Sequence, residues 1–303
     1  MAIFRAQDFM HPLDRAAKDN LEQIPGLRQI TDMFLKSVDE RVMRQYLMAS
    51  ALRLGPRQLP DIYRLLPPIC EAFGIDEPEL YLTHGDVNAW TFGQTRTSIV
   101  LYSGLIEHLE PVEIEAVLAH ECGHILCQHV LYRSMAITLE RAAELTKLGA
   151  LMTAPIQSAL LAWIRKSELS ADRAAAGYLG GPKEMTTALL RFAGVLRWAA
   201  SDQYSLDEFA AQAAEWESMM DNRWDKLLHW WRGAGNSTHP MLAMRVRELQ
   251  RWCGSPQFSA IGALTASIRG GERCTRCGAA SRPGVRHCPN CGFQVEPAQI
   301  TAV

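Results

Sequence analysis

The sequence lacks several features that identify a protein class directly. Its first twelve residues include charged side chains and a proline and no apolar run, so no secretory signal is predicted. The 31 Lys and Arg nearly balance the 33 Asp and Glu, and a net charge of −2 gives no reason to expect a polyanionic partner. Neither an internal repeat nor a low-complexity tract occurs. We therefore exclude a disordered, collagen-like or coiled-coil chain and expect a globular, cytoplasmic protein.

Long apolar runs are also scarce. The longest stretch without a charge covers residues 148–164, which is near the lower limit for crossing a hydrocarbon core of about 30 Å. Pro155, Gln157 and Ser158 interrupt it. We interpret this stretch as helix within a soluble domain. Association with a membrane through residues 148–164 stays open as the alternative, but nothing in the sequence requires it.

The remaining pattern predicts an α+β fold that is mostly α. Apolar residues recur at helical spacing over residues 12–50 and 61–73, with breaks at Pro25 and at Pro67. Three short β-type runs, residues 79–83, 87–92 and 97–102, predict a small sheet. The chain is helical almost throughout from Pro111, where a long helix is predicted to run to about Tyr132.

The predicted domains follow from this organisation. Residues 1–253 form the main domain, with a helical N-terminal part (1–75) and a core (76–253). Residues 254–271 are small and polar and read as a linker. Residues 272–303 form a separate C-terminal unit.

That C-terminal unit contains two CxxCG knuckles. In a reducing compartment, cysteines at this spacing are metal ligands rather than disulfides, and a segment of about 30 residues has too little core to fold without metal. We predict a zinc ribbon whose structural zinc is held by Cys274, Cys277, Cys288 and Cys291. Phe293 is its only aromatic residue, which disfavours nucleic acid and favours a protein partner.

A second potential metal site is an HExxH string in the long helix. His120 and His124 lie one turn apart on the same helix face, so both imidazoles can bind one zinc ion. Glu121 is then positioned as a general base that takes a proton from water and returns it to the leaving amine. Apolar neighbours on both sides favour buried histidines rather than two solvated ones.

A catalytic zinc with two histidines needs a third protein ligand. The extended pattern HExxHxxGxxH is excluded, because Cys127 and Val130 stand where it requires Gly and His. His129 is predicted to face away from the site, about half a turn round the helix. Glu168 and Asp172 share one helix face, so one can bind metal while the other orients a ligand histidine. On spacing alone, a pair of exposed acids is an equal alternative.

Together these strings resemble the gluzincin metallopeptidases of the HtpX and CAAX prenyl endopeptidase type. The resemblance extends from about residue 76 to 250 and rests on the HExxH string and four further segments: residues 168–173 (ELSADR), 87–93 (VNAWTFG), 98–105 (SIVLYSGL) and 238–240 (THP) with Arg245. Two departures matter. Members in membranes carry clear transmembrane helices around the motif, whereas this chain has none before it and only the interrupted stretch at residues 148–164 after it. In addition, Trp90 stands where phenylalanine is usual.

The resemblance implies a zinc-dependent endopeptidase acting on protein or peptide substrates. Its implied zinc ligands are His120, His124 and Glu168, with Glu121 as the base. Asp172 would orient a ligand histidine, and His239 would stabilise the oxyanion. Asn88 and Ala89 would lie at an edge strand that pairs with an extended substrate, and Arg245 would also bind substrate.

One alternative function stays open. In this alternative, the chain is a latent or non-catalytic zinc-binding protein whose ribbon docks a protein or nucleic-acid partner. The intact Glu121 argues against it, because a purely structural zinc site has no use for a base.

Overall fold

The computed structural model describes residues 4–27, 29, 31, 34, 40–136, 147–199, 203–219 and 241–269. Its N-terminal part is helical, as the sequence predicts. Its helices include α1 (Ala6–Phe9), α2 (Pro12–Glu22), α3 (Glu40–Ser50), α4 (Pro60–Tyr63) and α5 (Leu66–Phe73). The predicted helix over residues 61–73 is thus split in two. Pro67 lies in the first turn of α5, where a missing N–H is tolerated, and Gly74 ends α5 in the left-handed region at φ 62°.

The small sheet is also confirmed, with one strand more than predicted. Its members are β1 (Leu52–Arg53), β2 (Glu79–Thr83), β3 (Ala89–Phe92) and β4 (Ser98–Tyr102). They lie in the order β1-β2-β4-β3, with β2 and β4 parallel and the outer pairs antiparallel. Strand β3 is at one edge, and within the described ranges no other strand pairs with its outer side.

The rest of the described chain is helical. The helices that follow the sheet include α6 (Ser103–His108), α7 (Pro111–Leu126), α8 (Lys147–Leu179), α9 (Lys183–Phe192), α10 (Leu206–Met219), α11 (Leu242–Cys253) and α12 (Pro256–Arg269). Helices α7 and α8 pack along each other through the centre of the molecule. The main apolar core forms around α7, the second half of α8 and the inner face of the sheet.

Two segments differ from the sequence-based prediction. Helix α7 ends at Leu126 instead of continuing to Tyr132, because Gln128 takes the left-handed conformation at φ 60°. Helical structure resumes at residues 130–136. Residues 256–269, inside the predicted linker, form α12, and Thr265 Oγ1 on it donates a 2.6 Å hydrogen bond to the Gly177 carbonyl of α8. Composition alone missed this helix, because small residues fit a close helix contact as well as a loop.

The charge-free stretch at residues 148–164 belongs to α8. Ile156, Leu160 and Trp163 are buried in a second apolar cluster that includes Ala17 and Leu21 of α2. Among the described residues, none of the helices combines the length and the apolarity needed to span a bilayer.

Candidate metal centre

Three buried side chains from α7 and α8 form a compact donor set. His120 Nε2 and His124 Nε2 are 3.2 Å apart, and each lies 3.4 Å from a carboxylate oxygen of Glu168. One ligand atom from each of the three lies within 4.8 Å of the others, and each residue is at most 3% exposed. Glu168, the predicted third ligand, therefore lies next to the two histidines. The alternative that Glu168 and Asp172 are a pair of exposed acids is wrong, because both are buried.

A glycine allows α7 and α8 to approach closely enough for this. A Cβ on Gly123 would lie 2.8 Å from the Ala174 Cβ and 3.2 Å from the Ala171 Cα. Real Cβ atoms essentially never come within 3.0 Å of another heavy atom, so even alanine at position 123 would push the helices apart. Gly123 stands within the HExxH string and Ala171 lies three residues after Glu168, so this contact sets the distance between the histidines and the carboxylate.

Glu121 is held from the sheet. Its side chain is 1% exposed, and its Oε2 accepts a 2.6 Å hydrogen bond from Thr91 Oγ1 on β3. Thr91 itself is buried. The edge strand thus fixes one carboxylate oxygen of the predicted base.

Behind His120 lies a carboxylate–guanidinium pair. The Asp172 Oδ1 is 2.9 Å from His120 Nδ1, on the side of the ring opposite the donor set. Arg245 on α11 donates two hydrogen bonds to Asp172, of 2.8 and 2.6 Å, and its Nη1 lies 3.1 Å from Glu168 Oε2. Arg245 is only 3% exposed, so its guanidinium faces two buried carboxylates and not a substrate cleft. This placement differs from the predicted substrate-binding role.

Behind His124 lies a chain of polar groups that the sequence did not reveal. His124 Nδ1 is 2.9 Å from His129 Nδ1, and His129 Nε2 is 3.0 Å from Asp14 Oδ2 on α2. The prediction that His129 faces away is wrong. That prediction assumed an unbroken helix, whereas the turn at Gln128 directs His129 back towards His124. The backbone N–H of His129 donates a hydrogen bond to the His124 carbonyl.

A second arginine contacts the donor set. Arg133 Nη1 lies 3.1 Å from His124 Nε2 and donates a hydrogen bond to Glu168 Oε1. Burial alone would raise the pKa of Glu168, but Arg133 and Arg245 outweigh it and hold that pKa well below its usual value. Glu168 is thus a buried carboxylate that stays ionised.

The donor set fits a catalytic zinc ion. Two imidazole nitrogens and one carboxylate oxygen are a known ligand set for zinc that retains an open position. Burial opposes a positive charge on His120, yet hydrogen bonds to Asp172 and Glu168 outweigh it and raise its pKa to about 9. These carboxylates therefore favour a cation at this point of the structure.

The other predicted site residues divide into two groups. Ala89 begins the edge strand and is buried, while Asn88 precedes it, is half-buried and accepts a 2.8 Å hydrogen bond from the Ala89 N–H. His239 and the ribbon cysteines, Cys274, Cys277, Cys288 and Cys291, lie outside the described residues. Cys122 is fully buried, as expected for a small core residue.

Comparison with known proteins agrees with this geometry. The model of peptidase family M48 matches residues 56–253. Plastoglobule-localized metallopeptidase 48 of Arabidopsis thaliana, a chloroplastic protein, is 32% identical over 263 residues, which cover 84% of this chain and 75% of the relative. Protease HtpX homolog 2 of Methanosarcina mazei is 25% identical over 228 residues, 64% of this chain and 73% of the relative. No solved structure matches significantly.

Proposed function

The chain belongs to peptidase family M48 and is a metalloprotease; from this premise we propose that it is a zinc-dependent endopeptidase in which His120, His124 and Glu168 hold the metal. The observation that carries the proposal is the buried donor set beside Glu121. One ligand atom from each of the three residues lies within 4.8 Å of the others, which is close enough for all three to bind one zinc ion.

The reaction that we propose is hydrolysis of peptide bonds. Zinc in a site of this kind polarises a carbonyl oxygen and lowers the pKa of water. Glu121 takes the proton from the attacking water and returns it to the leaving amine. The hydrogen bond from Thr91 occupies Glu121 Oε2, which leaves Oε1 as the oxygen for proton transfer.

The substrate would bind in extended form along β3. This strand is at the sheet edge, and its residue Thr91 contacts the base, so a peptide added to the edge would pass close to Glu121. Asn88 and Ala89 are the proposed contacts at the start of the strand. His239 is proposed to stabilise the oxyanion, a role carried over from the family motif.

We further propose that residues 272–303 form a zinc ribbon with a structural zinc at Cys274, Cys277, Cys288 and Cys291. Two CxxCG knuckles support this. The ribbon is proposed to dock a protein partner or substrate, and nucleic acid is disfavoured because the segment has a single aromatic residue. A variant with Cys274→Ser and Cys277→Ser is expected to lose one zinc per chain and to keep cleavage at the HExxH site.

We propose a cytoplasmic location. The buried thiols of Cys70, Cys122 and Cys127, which form no disulfide within the described ranges, fit a reducing compartment. Association with a membrane through residues 148–164 is compatible with this proposal and not required by it.

Casein cleavage by the zinc-loaded full chain tests the proposed function. Glu121→Gln is expected to keep its zinc and to lose activity by roughly 10²- to 10⁴-fold, the usual contribution of a general base. Glu107→Gln, on the exposed part of α6, is the matched control and is expected to behave like the wild type. Cleavage by Glu121→Gln within tenfold of the wild type would contradict the role of the base. A wild type that binds zinc but cleaves nothing would favour the non-catalytic alternative.

A further inference from the structure

Asp14 is an unusual residue to find behind a metal ligand. It lies on α2, outside the segment that the family model matches, and is 1% exposed. Its Oδ2 receives two hydrogen bonds, one of 3.0 Å from His129 Nε2 and one of 2.5 Å from Ser170 Oγ. Ser170 lies on α8, two residues after Glu168, and its Oγ also accepts the His11 N–H at 2.9 Å. Helix α2 is thereby attached to the metal centre by buried polar contacts.

When His124 binds metal, the protons in these hydrogen bonds can be placed in only one way. A histidine that coordinates through Nε2 carries its proton on Nδ1. His124 Nδ1 then donates to His129 Nδ1, which must be the unprotonated nitrogen of that ring. The remaining proton of His129 is on Nε2 and is donated to Asp14 Oδ2. Each donor meets one acceptor, and the carboxylate at the end fixes both tautomers.

Packing fixes the orientation of the connecting ring. His129 is fully buried, its ring centroid is 5.4 Å from that of Trp163, and the two planes are almost perpendicular. The His129 ring centroid also lies 5.1 Å from that of His124. The ring therefore has little freedom to rotate away from either hydrogen-bond partner.

We propose that Asp14, acting through His129, is a positioning residue for the metal ligand His124, so that helix α2 completes the metal centre of the core domain. Asp14, His129 and Ser170 form what we term the Asp14 relay. It orients the His124 ring and keeps its Nε2 lone pair available for the metal. The inference rests on the proposed function, because it assumes that His124 binds zinc.

The test measures zinc affinity of the full chain by competition with a chromophoric chelator, together with the absorption spectrum of the cobalt-substituted protein. Asp14→Asn removes the charge but keeps the size and an acceptor oxygen, so it is the variant expected to fold. His129→Phe keeps a ring against Trp163 but breaks the relay. His108→Phe is the matched control, because His108 is exposed and its ring Nδ1 is hydrogen-bonded to the Gly104 carbonyl on its own helix, α6. Glu168→Gln identifies which zinc belongs to this site.

Both relay variants are expected to bind the Glu168-dependent zinc about 10- to 100-fold more weakly, which is the usual effect of removing such a partner. The cobalt spectrum should shift in both, and the double variant should be no weaker than His129→Phe alone, because the two residues act in series. His108→Phe should match the wild type. A folded Asp14→Asn with wild-type zinc affinity and cobalt spectrum would overturn the relay. A wild type without Glu168-dependent zinc would instead overturn the proposed function.

Discussion

His120 and His124 lie one turn apart on the same helix, yet they are held in place in different ways. Behind His120 is a charged pair, in which Asp172 contacts the ring and Arg245 binds Asp172 with two hydrogen bonds. Behind His124 is the Asp14 relay, in which a second imidazole separates the ligand from the carboxylate. The first arrangement joins α8 to α11, and the second joins α2 to α8. The metal centre therefore depends on tertiary packing from two directions.

This difference has an electrostatic consequence. Asp172 and Glu168 share the charge of Arg245, so the His120 side contains charges of both signs in full burial. The Asp14 relay contains a single carboxylate whose partners are neutral donors. Loss of a residue behind His120 should therefore affect folding, and loss of a residue in the relay should mainly affect the metal.

The largest expected effect is the loss of zinc and of activity, and it should be the same for both histidines. His120→Ala and His124→Ala each remove one of the three protein ligands, so both should abolish the Glu168-dependent zinc and casein cleavage. Elemental analysis and a cleavage assay measure this. If one variant kept zinc and activity while the other lost both, the two histidines would not share one metal.

The next effect concerns the charged pair behind His120. Arg245→Met leaves Asp172 and Glu168 buried without their shared cation and should lower the free energy of unfolding by about 3–5 kcal/mol. Arg247→Met, on the same helix, breaks pairs with the partly exposed Glu217 and Glu248 and should cost only about 0–1 kcal/mol. Urea denaturation distinguishes them. Equal losses would mean that the buried pair is no more important than a surface pair.

The spacing between the helices gives a third test. Gly123→Ala places a methyl group against Ala174 and Ala171 and should destabilise the protein by about 1–3 kcal/mol while weakening zinc binding. Adding Ala174→Gly removes the atom closest to the new methyl group and should recover part of both losses. If the second change brought no recovery, the close contact of α7 and α8 would not be the cause.

A smaller effect concerns the base Glu121, which is held by Thr91 of the sheet and not by the residues behind either histidine. Thr91→Val removes the hydrogen bond to Glu121 Oε2 and should reduce kcat about tenfold or more, the equivalent of a hydrogen bond to a charged group, with zinc affinity unchanged. Thr91→Ser keeps a hydroxyl and should recover most of the rate. A Thr91→Val protein with full kcat would show that Glu121 does not need the edge strand.

The last effect is a dependence on pH at the start of α2. Burial, and secondarily Arg173, lowers the pKa of His11 from 6.5 to about 4, so the folded state disfavours its protonation. The stability that depends on neutral His11 is complete above about pH 6.5 and is lost as the pH falls towards 4. Its Nδ1 also accepts the Leu13 N–H as the cap of α2. The melting temperature of the wild type should therefore fall more over this range than that of His11→Asn, and parallel falls would contradict this.

Much of this arrangement could be predicted, because it depends on local spacing. His120 and His124 share one face of α7, and Glu168 and Asp172 share one face of α8. A single contact between these two helices is therefore enough to bring the four side chains together. The family resemblance supplied the pairing of the two helices.

The Asp14 relay could not be predicted in this way. Asp14 precedes the HExxH string by more than 100 residues, and no motif marks it. His129 was assigned to the wrong side because Gln128 adopts a left-handed conformation without being glycine, and nothing in the sequence around it indicates the end of a helix. Arg245 was recognised as part of a motif, but its role as the partner of buried carboxylates became evident only from its packing.

The central claim is that one zinc ion, held by His120, His124 and Glu168, is the catalytic metal. Glu168→Gln tests it most directly, because the change keeps the size of the side chain and removes the charged ligand. Zinc per chain and casein cleavage would be measured for this variant and the wild type. We predict that Glu168→Gln contains one zinc fewer than the wild type and no longer cleaves casein. A Glu168→Gln protein with the same zinc content and the same cleavage as the wild type would contradict the claim.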